Sequence, residues 1–507
     1  MTGFSAPRAG RAAAVLGSLG AFASLAALAA LALAGVSTRA AAQGVEAPPT
    51  PMAPRPLQIA APVEQQLPNG LRVVLAQRPG VQLVTAKLVV LTGAEADPPD
   101  LPGLASMTAG LLSKGTRSRS ATQLAHAAES LGGALDSSAG WRQSDVSITV
   151  TAPLLDAALT LVGDVVRRPV FAPAELDRLR AQVLDGLKVG YSRPGTLAAL
   201  AMRRLLYGDG PYGHPPEGTR NSLPRISRAR LQALHAAHYR PDNAVLVLAG
   251  DLDAEAARAL ALKHFGAWRA PRTAAAAPSL AANRALPQTA VLVDLPQSGQ
   301  AAVVVAMPLP TPGADRATAT VMNAVLGGGY SSRLNQEIRV RRGLSYGAGS
   351  SLDLRPGGAA LRVVVQTKNE SAAEVVALVQ TELDRLAAQP VGEDELAARK
   401  ATLIGSVGRS IETTAGLAGA IEALVVAGRP GAELRTRIEA LSAVSAADVQ
   451  RYAVAHLGAS GRRVAVAGEA ARIAEGLKAA APDAAVLPAG RFDLDAGAAA
   501  LGTPPAR

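Results

Sequence analysis

The sequence repeats itself. Ile226-Ser227 opens a helical pattern carrying Leu231, Gln232 and His238, followed by the apolar run Ala244–Ala249 and Gly250. Val444-Ser445 opens a second, with Val449, Gln450 and His456, the run Arg462–Ala467 and Gly468, each 218 residues further on and with no gap. Both patterns start on a serine, whose hydroxyl can accept from the free amides of a first helical turn. Pro169–Leu176 and Pro390–Leu396 add a weaker echo at a similar spacing. A helix, its cap, a strand and a glycine held in one register mark an internal duplication, so the chain is expected to fold as two related domains.

Each copy mixes short alternating runs with long helical ones. Residues 143–151 alternate at period two, as a half-buried strand does, and Leu71–Leu75 follows the turn signal Pro68-Asn69-Gly70. Residues 173–189 and 392–408 carry helical periodicity. Strands and helices without strict alternation predict α+β domains, each an antiparallel sheet with helices. Aromatics make up only 3% of the chain, so the cores must be built from Ala, Leu and Val. The expected boundaries are residues 63–269 for the first domain and 288–487 for the second. A linker over 270–287 joins them, and a disordered tail over 488–507 follows.

The N-terminus reads as an address. Arg8 and Arg11 precede an uncharged stretch from Ala12 to Val36, and Ala40-Ala41-Ala42 offers a small-residue cleavage site. Residues 1–42 are therefore expected to be a signal peptide and the mature chain periplasmic, with a Pro-rich linker over 43–62. The apolar stretch is also long enough to span a bilayer uncleaved; the cleavage site and the proline-rich lead-in favour removal and no stable membrane insertion afterwards. The chain has no cysteine, which excludes a lipoprotein anchor, disulfides and thiolate metal sites. The formal charge of +11 becomes +8 once Arg8, Arg11 and Arg39 are removed. The basic residues are dispersed and few aromatics accompany them, so nucleic acid is not an expected partner.

Residues 103–116 read G-L-A-S-M-T-A-G-L-L-S-K-G-T. This resembles the active-site helix of the insulinase/pitrilysin peptidases, G-L-A-H-x-x-E-H-x-x-x-K-G-T, and both flanks align without a gap. In that motif two imidazoles four residues apart share a helix face and hold one zinc, while the glutamate serves as base. Here the three positions are Ser106, Ala109 and Gly110, none of which can ligate zinc or take a proton. The family's third ligand is a glutamate on a later helix. The matching stretch Gln182–Leu187 has Asp185 then Gly186 where the family has paired acids. The resemblance therefore implies no metal and no other cofactor in this chain, with zinc carried by a partner subunit.

Six histidines remain as other ligands: His126, His214, His235, His238, His264 and His456. Only His235 and His238 share a helix, and His238 recurs as His456 without a companion, so packing or capping explains them better than a metal. The segments Leu206–Gly213, Glu217–Thr219 and His238–Asn243 also resemble the family, but as turn and helix-end structure.

Residues 327–346 read G-G-G-Y-S-S-R-L-N-Q-E-I-R-V-R-R-G-L-S-Y. This resembles the substrate-clamping segment of the same family, in which an arginine and a tyrosine seven residues apart reach across a closed chamber to the scissile peptide. By resemblance those residues are Arg339 and Tyr346, acting in trans. A phenol or guanidinium can donate to the charge that develops on a carbonyl oxygen, or hold the peptide backbone. A chain that keeps the clamp and lacks the zinc motif resembles the non-catalytic half of a two-subunit clamshell. Its expected partners are a paralogous zinc-bearing subunit and peptide substrates, and it is expected to be inactive alone. The alternative weighed against it is a non-proteolytic peptide-binding or scaffold protein of the same fold.

Overall fold

The computed structural model describes residues 60–269, 280, 283–311, 313, 315–492, 495 and 501. The expected signal peptide, most of the Pro-rich linker and most of the 270–287 linker lie outside them.

Two six-stranded sheets carry the fold. The first contains β1 (Val63–Gln66), β2 (Arg72–Gln77), β3 (Leu83–Val90), β4 (Asp136–Ala139), β5 (Ser144–Thr151) and β6 (Ala244–Gly250), in the order β1-β2-β6-β3-β5-β4. The second contains β7 (Ala290–Asp294), β8 (Ala301–Pro308), β9 (Ala348–Asp353), β10 (Ala360–Thr367), β11 (Arg463–Gly468) and β12 (Ala485–Pro488), in the order β12-β7-β11-β8-β10-β9. Both are largely antiparallel, as expected, but β2 runs parallel to β6, and β7 runs parallel to both β11 and β12. Those parallel pairs join strands far apart in sequence, which local alternation cannot report.

The duplication is visible element by element. β3 and β8 begin at residues 83 and 301, and β2 and β7 at 72 and 290, the same 218-residue spacing as the helices Arg228–His238 and Ala446–His456. Ser227 and Ser445 cap those two helices, accepting from the amides of Arg230 at 3.4 Å and Asp448 at 3.2 Å. Only the outermost strands β1 and β12 break the correspondence, since one precedes its sheet and the other follows.

One face of each sheet is covered by helices of its own half. Leu155–Arg167 and Leu104–Leu112 pack on the first sheet, and Arg316–Leu326 and Ala372–Ala388 on the second. The other face is covered by an exchanged helix. Pro194–Tyr207, from the first half, lays Leu197, Ala201 and Leu205 against Val293, Val304 and Ala465 of the second sheet. Thr414–Val426, from the second half, lays Leu417, Ile421 and Val425 against Val74, Val89 and Val247 of the first. With both faces covered, every residue of β6 is buried, which is why it reads as a continuous apolar run rather than an alternating one. Each leucine so buried stabilises by about 1.5–3 kcal/mol. Polar contacts follow the same exchange: the Thr85 hydroxyl lies 2.9 Å from that of Thr414 and 2.8 Å from that of Thr149.

Of the segment 488–507, expected as a disordered tail, residues 488–492, 495 and 501 are described. Residues 489–491 form a single helical turn, Phe492 packs beside the exchanged helix Pro194–Tyr207, and Leu501 is buried in the same cluster. Thr219 donates to Asp495 at 2.6 Å. Apolar residues this sparse leave no periodicity to read, yet they suffice to dock a terminus. Among the described residues no helix is long and apolar enough to cross a membrane.

Candidate functional site

The helix Leu104–Leu112 begins at Gly103, which sits in the left-handed region at φ 92. Its first turn has no side-chain cap of its own. Instead Asp97, from the preceding loop, accepts from the amides of Gly103 at 2.8 Å and Ala105 at 2.7 Å. Burial pushes the Asp97 carboxyl up to about 8, although these amides work in the opposite direction.

On this helix Ser106 donates to the Pro216 carbonyl at 2.6 Å, and Ala109 is fully buried. A Cβ on Gly110 would stand 3.1 Å from Cδ2 of Leu179, on the neighbouring helix Pro173–Tyr191. Asp185 of that second helix pairs at 2.8 Å with Lys188, both well exposed, and Gly186 faces open space. The helix that carries the zinc motif in the resembling family is here a packing element.

The histidines are spoken for by structure. His235 Nε2 lies 2.7 Å from the Val166 carbonyl and its ring stacks on Tyr239, while His238 Nδ1 lies 3.3 Å from the Thr92 hydroxyl. His264 meets Asp156 at 2.7 Å, His456 packs edge-on against Tyr452, and exposed His126 lies 3.4 Å from Glu129. Burial pulls His214 down to about 4, so it stays neutral. Among the described residues no three His, Asp or Glu side chains come together as a metal site.

The second segment is built differently. The helix Arg316–Leu326 ends at Gly327, where any Cβ would meet the Ser350 nitrogen at 2.4 Å, so only glycine lets the loop lie against β9. Ser332 donates to the Gly329 carbonyl at 2.5 Å and Asn335 to that of Tyr330 at 2.5 Å, drawing the loop into a tight turn. Asn335–Arg341 then winds as a π-helix, a rare form enriched at functional sites. Arg333 grips Glu395 through two hydrogen bonds, of 3.1 and 2.8 Å, and Glu337 accepts from Arg341 and Arg342, both at 2.9 Å. Those acids engage every neighbouring arginine except Arg339. Its guanidinium instead lies 5.0 Å over the exposed ring of Tyr330. Tyr346 is 92% exposed, directly before β9. No hydrogen bond joins Arg339 to Tyr346 among the described residues.

Comparison with known proteins decides the family. The family model described as Insulinase (Peptidase family M16) matches residues 72–215, and that described as Peptidase M16 inactive domain matches residues 225–403. An uncharacterized zinc protease of Mycobacterium tuberculosis is 30% identical over 358 residues, covering 70% of this chain and 82% of the relative. The chain belongs to the insulinase peptidase family, M16. A second M16 relative, an uncharacterized zinc protease of Streptomyces coelicolor, is 28% identical over 69% of this chain and 77% of its own. The structure of a peptidase M16 inactive domain from Pseudomonas fluorescens superposes with a TM-score of 0.75 at 26% identity, covering 80% of this chain and 98% of that one. A protease from Helicobacter pylori, at 18% identity and a TM-score of 0.75 over 81% of this chain and 100% of its own, shares the fold.

Set against the family's zinc chemistry, the residues present do not fit the metal. Ser106, Ala109 and Gly110 supply no imidazole and no base, and Leu179 fills the space beside Gly110. Sequence reasoning missed two features of this M16 chain. One is Asp97, one of three acids in the proline-rich segment 93–103 and not distinguished from Glu95 or Asp100 by its sequence. The other joins the halves: Arg355 lies 4.6, 4.4 and 5.9 Å over the rings of Trp141, Tyr212 and Tyr207. Tyr212 donates to Glu95 at 2.9 Å, and a Cβ on Gly358 would meet the Tyr212 ring at 2.3 Å. The two tyrosines lie in the 206–213 segment read from sequence as turn structure; their spacing carried no other signal.

Proposed function

We propose that this M16 chain is the zinc-free subunit of a heterodimeric periplasmic peptidase, supplying Arg339 and Tyr346 to peptide held against a zinc-bearing paralogue. One contrast carries the reading. The helix Leu104–Leu112 is packed shut, whereas Tyr346 stands 92% exposed and Arg339 is the arginine of its segment left without an acid partner. An exposed phenol and a guanidinium without an acid partner contribute nothing to this chain's core and are free to meet another molecule. In a site closed by two subunits both groups gain strength from the exclusion of water. No step of hydrolysis is assigned to the Ser106 helix.

The test is cleavage of a mixed peptide library by the mature chain, alone and with a candidate zinc-bearing M16 paralogue from the same organism. Cleavage only in the mixture, lost in Arg339→Ala and Tyr346→Phe, is the expected result. Cleavage by the chain alone overturns the proposal, and silence in both arms replaces it with a non-proteolytic scaffold.

A further inference from the structure

Four arginines converge on a cleft of about 500 Å3 where the two halves meet. Arg142 comes from the turn between β4 and β5, Arg316 opens the helix Arg316–Leu326, Arg355 follows β9, and Arg437 lies on the helix Glu433–Ala443. Among the described residues no carboxylate lines the cleft.

Two of these charges are compensated from behind. Arg142 donates from Nε to Glu95 at 3.2 Å and from Nη1 to the Val426 carbonyl at 3.0 Å, and Arg355 pairs with Asp353. The Nη1 of Arg355 is nonetheless buried without a hydrogen-bond partner among the described residues. The guanidinium groups of Arg316 and Arg437 make no hydrogen bond or ion pair among the described residues, Thr320 donating only to the Arg316 carbonyl at 2.8 Å. Glu433, whose field reaches Arg316, is already held by Arg429. Burial, then the fields of Arg429 and Arg437, pull the Arg316 guanidinium below its usual range. Like charges gathered where water is partly excluded are costly unless an anion joins them.

The rest of the lining narrows the anion. Leu352, Pro356 and Val426 form an apolar wall, and Asn323 and Ser350 add neutral polar groups. The volume lies in the range of sites for small organic ligands and short peptide segments, far above that of an inorganic ion. β9, which supplies Ser350 and Leu352, is the last strand of its sheet, so one of its edges is paired with no strand of that sheet. Such an edge offers main-chain groups to an extended chain.

We propose that this cleft is a subsite for an acidic peptide, its carboxylate held between Arg316 and Arg437 and its neighbouring residues against Leu352 and Val426. The proposal rests on the reading of this chain as one that handles peptides, and it extends that reading to a preference in sequence. The loop Gly327–Gly329 borders the cleft through Gly328 and leads along the chain into the segment bearing Arg339.

The experiment uses the mature chain alone, so that its outcome is separate from whether a partner cleaves anything. Fluorescence anisotropy compares a labelled peptide containing two Glu with its Gln counterpart, both amidated, at low and physiological salt, with inorganic phosphate as competitor. The Glu peptide is expected to bind about tenfold or more tightly. That preference should vanish in R316Q/R437Q and be halved or better in the exposed single variant R437Q, with thermal unfolding unchanged in the latter. Equal binding of the two peptides, or a preference that survives R316Q/R437Q, overturns the proposal. Displacement by millimolar phosphate at constant ionic strength also overturns it, in favour of a site for free anions.

Discussion

Lys87 on β3 and Glu422 on the exchanged helix Thr414–Val426 form an ion pair across the two halves, with Asp145 of β5 3.3 Å from the same ammonium. The three side chains are 18%, 11% and 9% exposed, so the triad is largely but not wholly shielded from water. Burial works against the charge on Lys87, but the hydrogen bond and field of Glu422 and the field of Asp145 outweigh it and raise its pKa. Lys87→Met leaves two buried carboxylates facing each other. It is expected to destabilise by about 3–5 kcal/mol in urea unfolding, whereas the double change with Glu422→Leu removes one of the two carboxylates and recovers part of the loss.

The exchanged helices predict a single unfolding event. Ile421→Ala removes apolar contact from the first sheet, although the residue belongs to the second half. It should lower stability by about 2–5 kcal/mol without splitting the calorimetric transition. Two separate transitions would show that the halves are independent.

Asp97 gives a pH dependence with a defined sign. Its folded pKa, about 8, lies above the ordinary carboxyl value, so the folded state holds the proton more tightly. The stability this contributes is complete below about pH 4, declines as the pH rises, and is gone above about pH 8. Asp97→Asn carries no proton to lose. The stability advantage of the natural chain over Asp97→Asn should therefore shrink steadily from pH 4 to 8 in denaturant titrations.

Restoring the family's histidine at Gly110 is expected to fail as engineering. The position lies against Leu179, so Gly110→His overpacks the helix contact and costs about 1–3 kcal/mol. With Ser106→His and Ala109→Glu added, a buried carboxylate joins it. Calorimetric zinc titration of the triple variant should show no tight site, and its melting temperature should fall.

For the clamp, Tyr346→Phe and Arg339→Ala should leave the melting temperature unchanged, since neither side chain packs in the core. If the proposed two-subunit peptidase holds, each should lower its kcat by about a hundredfold, the scale on which loss of one carbonyl donor is felt.

The sequence disclosed what depends on local pattern. The Ser227 and Ser445 caps, the helices behind them and the strands that follow were legible at one spacing, because capping and periodicity are near-neighbour effects. The Ser106, Ala109 and Gly110 frame rests on the flanking residues that align it with the family motif. What escaped was choice of partner. Leu197 and Ile421 announce a buried face, but nothing in a helix says which sheet it will meet. The parallel pairing of β2 with β6 joins residues such as Arg72 and Val245, and Asp97 finds its amides only after its loop has closed. The arginine cleft is invisible for the same reason, since Arg142 and Arg437 approach only in the folded chain.

The reciprocal helix cover also fixes a timetable for synthesis. The apolar face formed by Val74, Val89, Val245 and Val247 finds its lid only when the segment around Ile421 emerges from the ribosome. More than four-fifths of the polypeptide must therefore exist before the first-made sheet can dry on both sides. Contacts this distant in sequence slow folding and lengthen exposure of the sticky surface. Until then that valine face stays open to water, whatever compartment the chain finally reaches.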